Sequence, residues 1–356
     1  KEKIKNYHLM INKEDYICTT PFRLTEIHDT EQYLCCPSWL KTNIWDGKSI
    51  ESSFKSEKAK KVRQSILDGN YKYCDEIVCP YLSGLKRGNL NPVFVRKNKK
   101  TLKHFQNKEE IKTVNFCFDR SCNYQCPSCR QGLINYYGKE REAVEKKLKE
   151  VNDVLSKKIN TIYLSGSADP FYSKSFRKFL QEFKASKFPN MYRIHIHTNG
   201  SLWTQSMWDT MKEVQPFVRT CEVSIDAATK DTYENKTRIG GKWDILLENL
   251  KFITNIKTIE WFCFSFVVQD TNYKEMYDFY KLIESYFVDK DVTWEVKFTQ
   301  IINWKTFTDE EYKLKTVHDS EHKEHHNFLN ELDRIKNLPK VVHNFSHLTK
   351  NEKQII

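Results

Sequence analysis

CNYQCPSCR, residues 122–130, is the stretch on which the reading of this chain turns. It follows an apolar-alternating run, VNFCFD at 114–119, and precedes a helical pattern at 142–156. The thiolates of Cys122, Cys126 and Cys129, spaced C-x3-C-x2-C, suit three irons of a [4Fe-4S] cube and leave the fourth iron open to another ligand. A four-cysteine ferredoxin or a structural zinc site would need a further ligand close by. The next Cys or His after Cys129 is His195. On spacing alone the competing readings are a zinc knuckle with a distant ligand and three buried thiols.

Working outward, 356 residues with 39% hydrophobic and 13% aromatic content describe a globular protein of one large domain, or of a large and a small one. The sequence has no run of eighteen apolar residues and no secretory signal, so a soluble cytoplasmic protein off the membrane is expected. Eleven cysteines, many in short local spacings, point to metal ligation in a reducing compartment and not to disulfides. The formal charge of +11 favours an anionic substrate or an acidic partner. Nucleic acid is disfavoured, because no Arg-rich stripe or aromatic-interleaved basic run is present.

Before residue 109 the sequence is irregular and carries Cys18, Cys35, Cys36, Cys74 and Cys79. One helix is expected from Ala59, Val62, Ile66 and Leu67 on a single stripe, with Gly69 as its stop. It returns Cys74 and Cys79 toward Cys18 and Cys36, with Cys35 competing for the role of Cys36. Four thiolates make a closed site, suited to an iron–sulfur cluster or to zinc. Residues 84–108 are basic, with Gly and Pro early, and read as a linker.

From residue 111 strand-like and helix-like runs alternate. The strands are expected at 114–119, 161–166, 192–198, 219–226, 260–269 and 292–301, and the helices include 142–156, 173–183, 204–214, 243–254 and 273–286. Six βα units imply an α/β fold with a parallel sheet. The strands alternate in character. With their apolar residues facing helices, the other face carries Asn115, Cys117 and Asp119, then Tyr163 and Ser165, then His195, His197 and Asn199. The later strands add Glu222, Ser224 and Asp226, then Cys263, Ser265 and Gln269, then Glu295, Lys297 and Thr299. A polar lining shared by six strands predicts a ligand-filled or wet cavity; the alternative is a set of mutually satisfied buried hydrogen bonds. Ligands in such folds sit at the carboxyl ends of the strands. The cysteine loop, SGSADPF, HTNG, the segment ending TRIGG, and VVQDTN all fall at that end.

These residues resemble the radical S-adenosylmethionine enzymes that carry a SPASM or twitch auxiliary module, a resemblance covering residues 112–301 and most specific at the cysteine loop. It implies a partial (β/α)6 barrel of the radical SAM type at 109–301, preceded by a small irregular cysteine-rich iron–sulfur module at 1–108 and followed by a helical extension at 302–356. By the resemblance Cys122, Cys126 and Cys129 ligate a [4Fe-4S] cluster whose open iron is chelated by S-adenosyl-L-methionine. The family's turn that holds the methionyl amine falls on Ser167, Ala168, Asp169 and Pro170. Ser224 and Asp226 fall at its ribose position, Arg238 at the arginine that pairs with the methionine carboxylate, and Val268 with Gln269 beside the adenine position. Ser128 stands where the family usually has an aromatic residue. Cys18, Cys36, Cys74 and Cys79 would hold a second [4Fe-4S] auxiliary cluster, placed ahead of the barrel and not behind it.

The resemblance further implies an acidic flavodoxin or ferredoxin as reductant, and cleavage of S-adenosylmethionine to a 5′-deoxyadenosyl radical that takes hydrogen from a substrate. The polar lining favours a small polar substrate such as a sugar or nucleotide-linked sugar, with Glu222, His197, Lys297 and Gln269 as candidate catalytic residues. The alternatives are a maturase acting on a ribosomal peptide or protein side chain, and, in another class, an iron–sulfur electron carrier without radical chemistry.

Overall fold

Alternating strands and helices organise the chain as the hydrophobic patterning predicts. The computed structural model describes residues 11–164, 166–345 and 348. Ser165, the first ten residues and most of the stretch after 345 lie outside the described residues. Strands run, in chain order, as β1 (Tyr16–Cys18), β2 (Leu24–Ile27), β3 (Gln32–Tyr33), β4 (Phe94–Arg96), β5 (Thr113–Phe116), β6 (Thr161–Leu164), β7 (Arg193–Thr198), β8 (Val218–Ser224), β9 (Trp261–Val268), β10 (Thr293–Gln300) and β11 (Val341–His343). β5 to β10 are the six strands expected from the pattern. No helix among the described residues is long and apolar enough to cross a membrane.

Two compact units divide the chain. The first comprises Lys1–Asp119, Lys139–Tyr163 and Ala185–Tyr192. Here β6 neighbours β5, β5 pairs in parallel with β2, and β3 closes antiparallel on β2. The N-terminal segment, expected to be irregular, thus adds strands of its own to a parallel pair. The helix Glu57–Leu67 forms on its expected stripe, burying Ala59, Val62, Ile66 and Leu67. Ser56 caps its start by accepting from Ala59 N–H, and Gly69, at φ +86°, ends it. The 84–108 segment is no extended linker: β4 pairs antiparallel with β1, and Lys99–Asn107 is a helix capped by Asn98. Phe94 and Phe105 from this segment enter a core with Ile17, Phe22, Ile66 and Tyr71. Basic composition concealed those two apolar anchors.

The second unit comprises Arg120–Gly138, Leu164–Lys184 and Arg193–Ile356. It holds β7, β8, β9, β10 and β11 in that spatial order, every pair parallel. The helices Trp243–Ile253 and Met276–Ser285 lie between successive strands in sequence, and bury Leu246, Leu250 and Ile253, and Met276, Phe279 and Ile283. Phe266 of β9 meets Phe279 at 5.0 Å and Phe298 of β10 at 5.4 Å between ring centroids, so the even-numbered residues of β9 and β10 build this core. By period two, the odd-numbered residues of those strands, Ser265 and Lys297 among them, stand on the opposite face, which is left for polar side chains. The expected helical extension after 301 contains Asp309–Lys315 and His325–Ile335, and also β11, which lengthens the sheet.

Candidate active site

The cysteine loop is held by its neighbours in the second unit before any ligand is considered. Cys122 N–H donates to Ile134 O (2.9 Å), Gln125 N–H to Ile239 O (2.9 Å), and Asp169 N–H to Ser121 O (3.0 Å). Gly240 and Gly241 back onto the loop. A Cβ on Gly240 would sit 3.2 Å from Asn123 O, and one on Gly241 would come within 2.6 Å of Tyr233 Cε1 and 2.9 Å of Arg238 O. Only glycine permits that approach. Tyr124 and Tyr233, both buried, share a hydroxyl hydrogen bond of 3.0 Å behind the loop.

Cationic and amide donors surround the three sulfurs. Arg130 Nη2 donates to Cys129 Sγ at 3.3 Å and to Ser167 O at 3.2 Å, while Nη1 donates to Arg120 O at 2.9 Å. Arg238 Nη1 reaches Cys126 Sγ at 3.7 Å, and Asn199 Nδ2 reaches Cys122 Sγ at 3.7 Å. Burial pushes the Cys122 thiol up to about 12, with the carboxylate of Asp169 adding and Arg130 opposing. Cys122 and Cys126 are buried and Cys129 is exposed, and with a donor facing each sulfur this is a setting in which an electropositive cluster would offset the cost of the thiolates. The donor set fits an iron–sulfur cluster.

A cavity of about 370 Å³ opens over the loop. Cys122, Cys126 and Cys129 line it, with Ser128 and Arg130 from the same loop, Ser167, Ala168 and Asp169 from the turn after β6, and His197 and Asn199 at the end of β7. Ser224, Asp226, Arg238 and Val267 complete one wall, and Thr299, Gln300, Ile302, Trp304 and Asn344 the other. All of these groups lie at the carboxyl ends of their strands, as expected for the fold class.

Asp169 fills the turn structurally. Its Oδ1 accepts from Phe171 N–H (3.0 Å) and Tyr172 N–H (3.1 Å), and its Oδ2 from Thr198 Oγ1 (2.5 Å) and Asn199 N–H (2.9 Å). Asp226, at φ +60°, has Oδ2 2.7 Å from Arg238 Nη2 and accepts Val267 N–H at Oδ1 (2.7 Å). Each carboxylate oxygen of Asp226 keeps lone-pair capacity for one more donor.

Below the cavity the polar face becomes a closed network. Lys297 Nζ lies 2.6 Å from Glu222 Oε1 and 2.7 Å from Oε2, and His197 Nε2 is 3.8 Å from Oε1. The same His197 nitrogen shares a 2.8 Å hydrogen bond with Ser224 Oγ, which meets Ser265 Oγ at 3.0 Å. His195 Nδ1 pairs with Thr220 Oγ1 at 2.9 Å. Burial raises the Glu222 carboxyl, but the facing His197 and Lys297 outweigh it and hold the group at about 2. Burial drives His195 down to about 3 and lowers His197 as well. The alternating strands allowed either a cavity or a satisfied network, and the polar face holds both, divided by depth: an open cavity above and mutually bonded side chains beneath.

Of the residues singled out from the sequence, the structure gathers Cys122, Cys126, Cys129, Ser167, Ala168, Asp169, His197, Ser224, Asp226 and Arg238 around one cavity. Glu222 and Lys297 sit one layer deeper, joined to it through His197. Val268 packs into the apolar core and Val267 faces the cavity in its place, a shift of one residue that reverses the side of the sheet. Gln269 is buried at the turn after β9, where its carbonyl accepts from Asn272 and Tyr273 N–H, and it is not among the described residues lining the cavity. Thr299 was expected on the polar face, whereas Arg130, Gln300, Trp304 and Asn344 were not singled out. Arg130 adjoins the last cysteine and could have been found by asking what balances three thiolates, whereas Asn344 reaches the site from a region with no local signal.

In the first unit a separate group of cysteines sits on segments tied to one another by hydrogen bonds. Tyr71 ties its two arms together, accepting Cys18 N–H at 3.1 Å and donating to Tyr16 O at 2.8 Å, while its carbonyl accepts Cys74 N–H at 2.8 Å. Asp75 N–H donates to Trp39 O, and Cys79 N–H to Asp75 O. Burial raises the Cys35 thiol well above its ordinary value, with Cys18 and Cys79 adding, and the Cys74 thiol to about 12, again with Cys18 and Cys79 adding. Trp39 Nε1 donates to Cys35 Sγ at 3.0 Å. Burial also raises Cys36, with Glu26 and then Cys79 adding.

Residues 118–283 match the model of the Radical SAM superfamily. No curated protein matches the chain. Among solved structures, native anSMEcpe with bound AdoMet shares 18% identity over 54% of this chain and 51% of its own, at a TM-score of 0.38. SuiB of Streptococcus suis bound to precursor peptide SuiA shares 12% identity over 80% and 62%, at 0.42, and TYW1 with a lysine-pyruvate adduct 17% over 67% and 78%, at 0.37. The chain thus spans about half of the first of these and under two thirds of the second.

Proposed function

We propose that the enzyme built on this radical SAM domain abstracts hydrogen from a polar substrate, with a sugar or nucleotide-linked sugar as the favoured class. The observation that carries the reading is the three-thiol loop lining one cavity, with Arg130, Arg238 and Asn199 each donating to one of its sulfurs. Cys122, Cys126 and Cys129 would hold a [4Fe-4S] cluster, and Ser167, Ala168, Ser224, Asp226, Arg238 and Val267 would surround S-adenosylmethionine. When bound and reduced, these groups supply a 5′-deoxyadenosyl radical. The protein's own part is positional: Arg238 keeps its charge beside Cys126, the Asp169 turn and the Gly240–Gly241 approach fix the loop, and the deeper network holds the His197 ring against Ser224.

Support for a polar substrate comes from the wall formed by His197, Ser224, Thr299, Gln300 and Asn344 and from the Glu222–Lys297 pair behind it. The peptide-modifying reading keeps one specific observation in its favour: Trp304 and Ile302, on the cavity's lining, are exposed by 61% and 51% and offer an apolar rim for a side chain. In the first unit we propose a second cluster held by Cys18, Cys74, Cys79 and either Cys36 or Cys35, with residues 1–108 as its module and 302–356 as an extension of the barrel. An acidic flavodoxin or ferredoxin in a cytoplasmic, reducing compartment would supply the electrons.

Anaerobic reconstitution followed by reduction with S-adenosylmethionine present tests the reading. The enzyme releases 5′-deoxyadenosine and the Cys126→Ala variant does not. An iron-replete protein that reduces but releases none is an electron carrier, and the proposal fails.

A further inference from the structure

The first unit carries a second group of ligand-type side chains, apart from Cys18, Cys35, Cys74 and Cys79. Period two along β2 puts Glu26 and the following His28 on one face. β5 lies parallel beside it, with Asn115 opposite Glu26, and Cys117 continues that register through its N–H bond to Ile27 O at 2.8 Å. Glu26, His28 and Cys117 therefore meet at the carboxyl ends of two adjacent strands. One ligand atom of each lies within 4.8 Å of the other two. Glu26 and Cys117 are buried and His28 partly so.

The carboxylate is already oriented. Asn115 Nδ2 donates to Glu26 Oε2 at 2.9 Å, which leaves Oε1 turned to His28 Nε2 at 2.8 Å. An amide fixing one oxygen of a carboxylate while the other faces the site is the arrangement that outer groups impose on metal ligands. Burial raises the Cys117 thiol, and the Glu26 carboxylate is the charged neighbour that adds most to it.

We infer that Cys117, His28 and Glu26 form a three-ligand zinc site that ties β2 to β5, its fourth position taken by water. A thiolate, an imidazole and a carboxylate are a donor set that zinc accepts. Around one zinc ion, ligands at about 2.0–2.3 Å stand roughly 3.3–3.8 Å apart, so the three ligand atoms need only a small closure. The inference stands independently of whether the Cys18, Cys35, Cys74 and Cys79 thiols hold a cluster.

The test uses the full chain, anaerobically reconstituted with iron and sulfide, exposed to zinc chloride and desalted. Elemental analysis should find one zinc per chain, and zinc X-ray absorption should show one sulfur and three nitrogen or oxygen neighbours. His28→Ala and Cys117→Ser should each lose the zinc while retaining wild-type iron, and Asn115→Ala should weaken zinc binding about tenfold in chelator competition. Cys18→Ser and Cys74→Ser should keep it. Substoichiometric zinc in the wild type overturns the inference, as does zinc retained by both His28→Ala and Cys117→Ser. Should those variants misfold, the wild-type spectrum decides alone: a mixed shell supports the site, and an all-sulfur shell places the ion elsewhere and overturns it.

Discussion

Counting by twos along β8 puts Glu222 beneath Ser224 and Asp226, and a carboxylate at that depth needs a cation. Lys297 meets both of its oxygens and His197 stands 3.8 Å from one. Glu222→Gln would strand the Lys297 ammonium, whose side chain is about one-third exposed, at a cost of about 2 kcal/mol, less than for a fully buried pair. Because the pair lies below the cavity proposed to take S-adenosylmethionine, Glu222→Gln and Lys297→Met should each keep slow, substrate-independent release of 5′-deoxyadenosine while losing substrate-dependent product. Loss of both activities together with the iron would make the pair structural only. His195 supplies a pH dependence. Its folded value of about 3 lies below the ordinary 6.5, so the unfolded chain takes up a proton first as pH falls, and stability declines from about pH 6.5 downward. Between pH 6.5 and 5 the loss is about 2 kcal/mol, and thermal melts of His195→Gln should show a correspondingly smaller downshift at pH 5.

At the level of elements, the Gly240–Gly241 turn and the core strands make separable predictions. Gly241→Ala would drive a Cβ into Tyr233 and the Arg238 carbonyl, so iron bound by the cysteine loop should fall while the far-ultraviolet circular dichroism stays near wild type. Phe266→Ala, which removes a ring packed on Phe279 and Phe298, should destabilise the fold by about 3–5 kcal/mol in denaturant melts. Such elements were legible in the sequence because period and composition agree: β5 to β10 alternate, and each helix between them carries an apolar stripe. What escaped was set by partners distant in sequence. β2 reads as an ordinary loop until β5 lies beside it, and the 84–108 segment is basic except at the two phenylalanines that anchor it. Val268 was the natural candidate at the cavity, but the strand's pleat turns it into the core and presents Val267.

For the molecule as a whole, the proposed second cluster adds to the first, so anaerobic reconstitution should give about eight irons per chain. Cys18→Ala with Cys74→Ala should halve that value. The formal charge of +11 should steer an acidic electron donor, so turnover driven by flavodoxin should fall with rising ionic strength while dithionite-driven turnover should not. Equal salt sensitivity with both reductants would remove the steering argument. The central claim is that Cys122, Cys126 and Cys129 hold a cluster with one iron open to the methionyl end of S-adenosylmethionine. Electron–nuclear double resonance on the reduced Cys18→Ala/Cys74→Ala protein, with S-adenosylmethionine carrying a nitrogen-15 amine, measures this directly. The account predicts a nitrogen-15 hyperfine coupling on the cluster signal that vanishes with unlabelled cofactor; a reduced [4Fe-4S] signal without that coupling, at saturating S-adenosylmethionine, would contradict it.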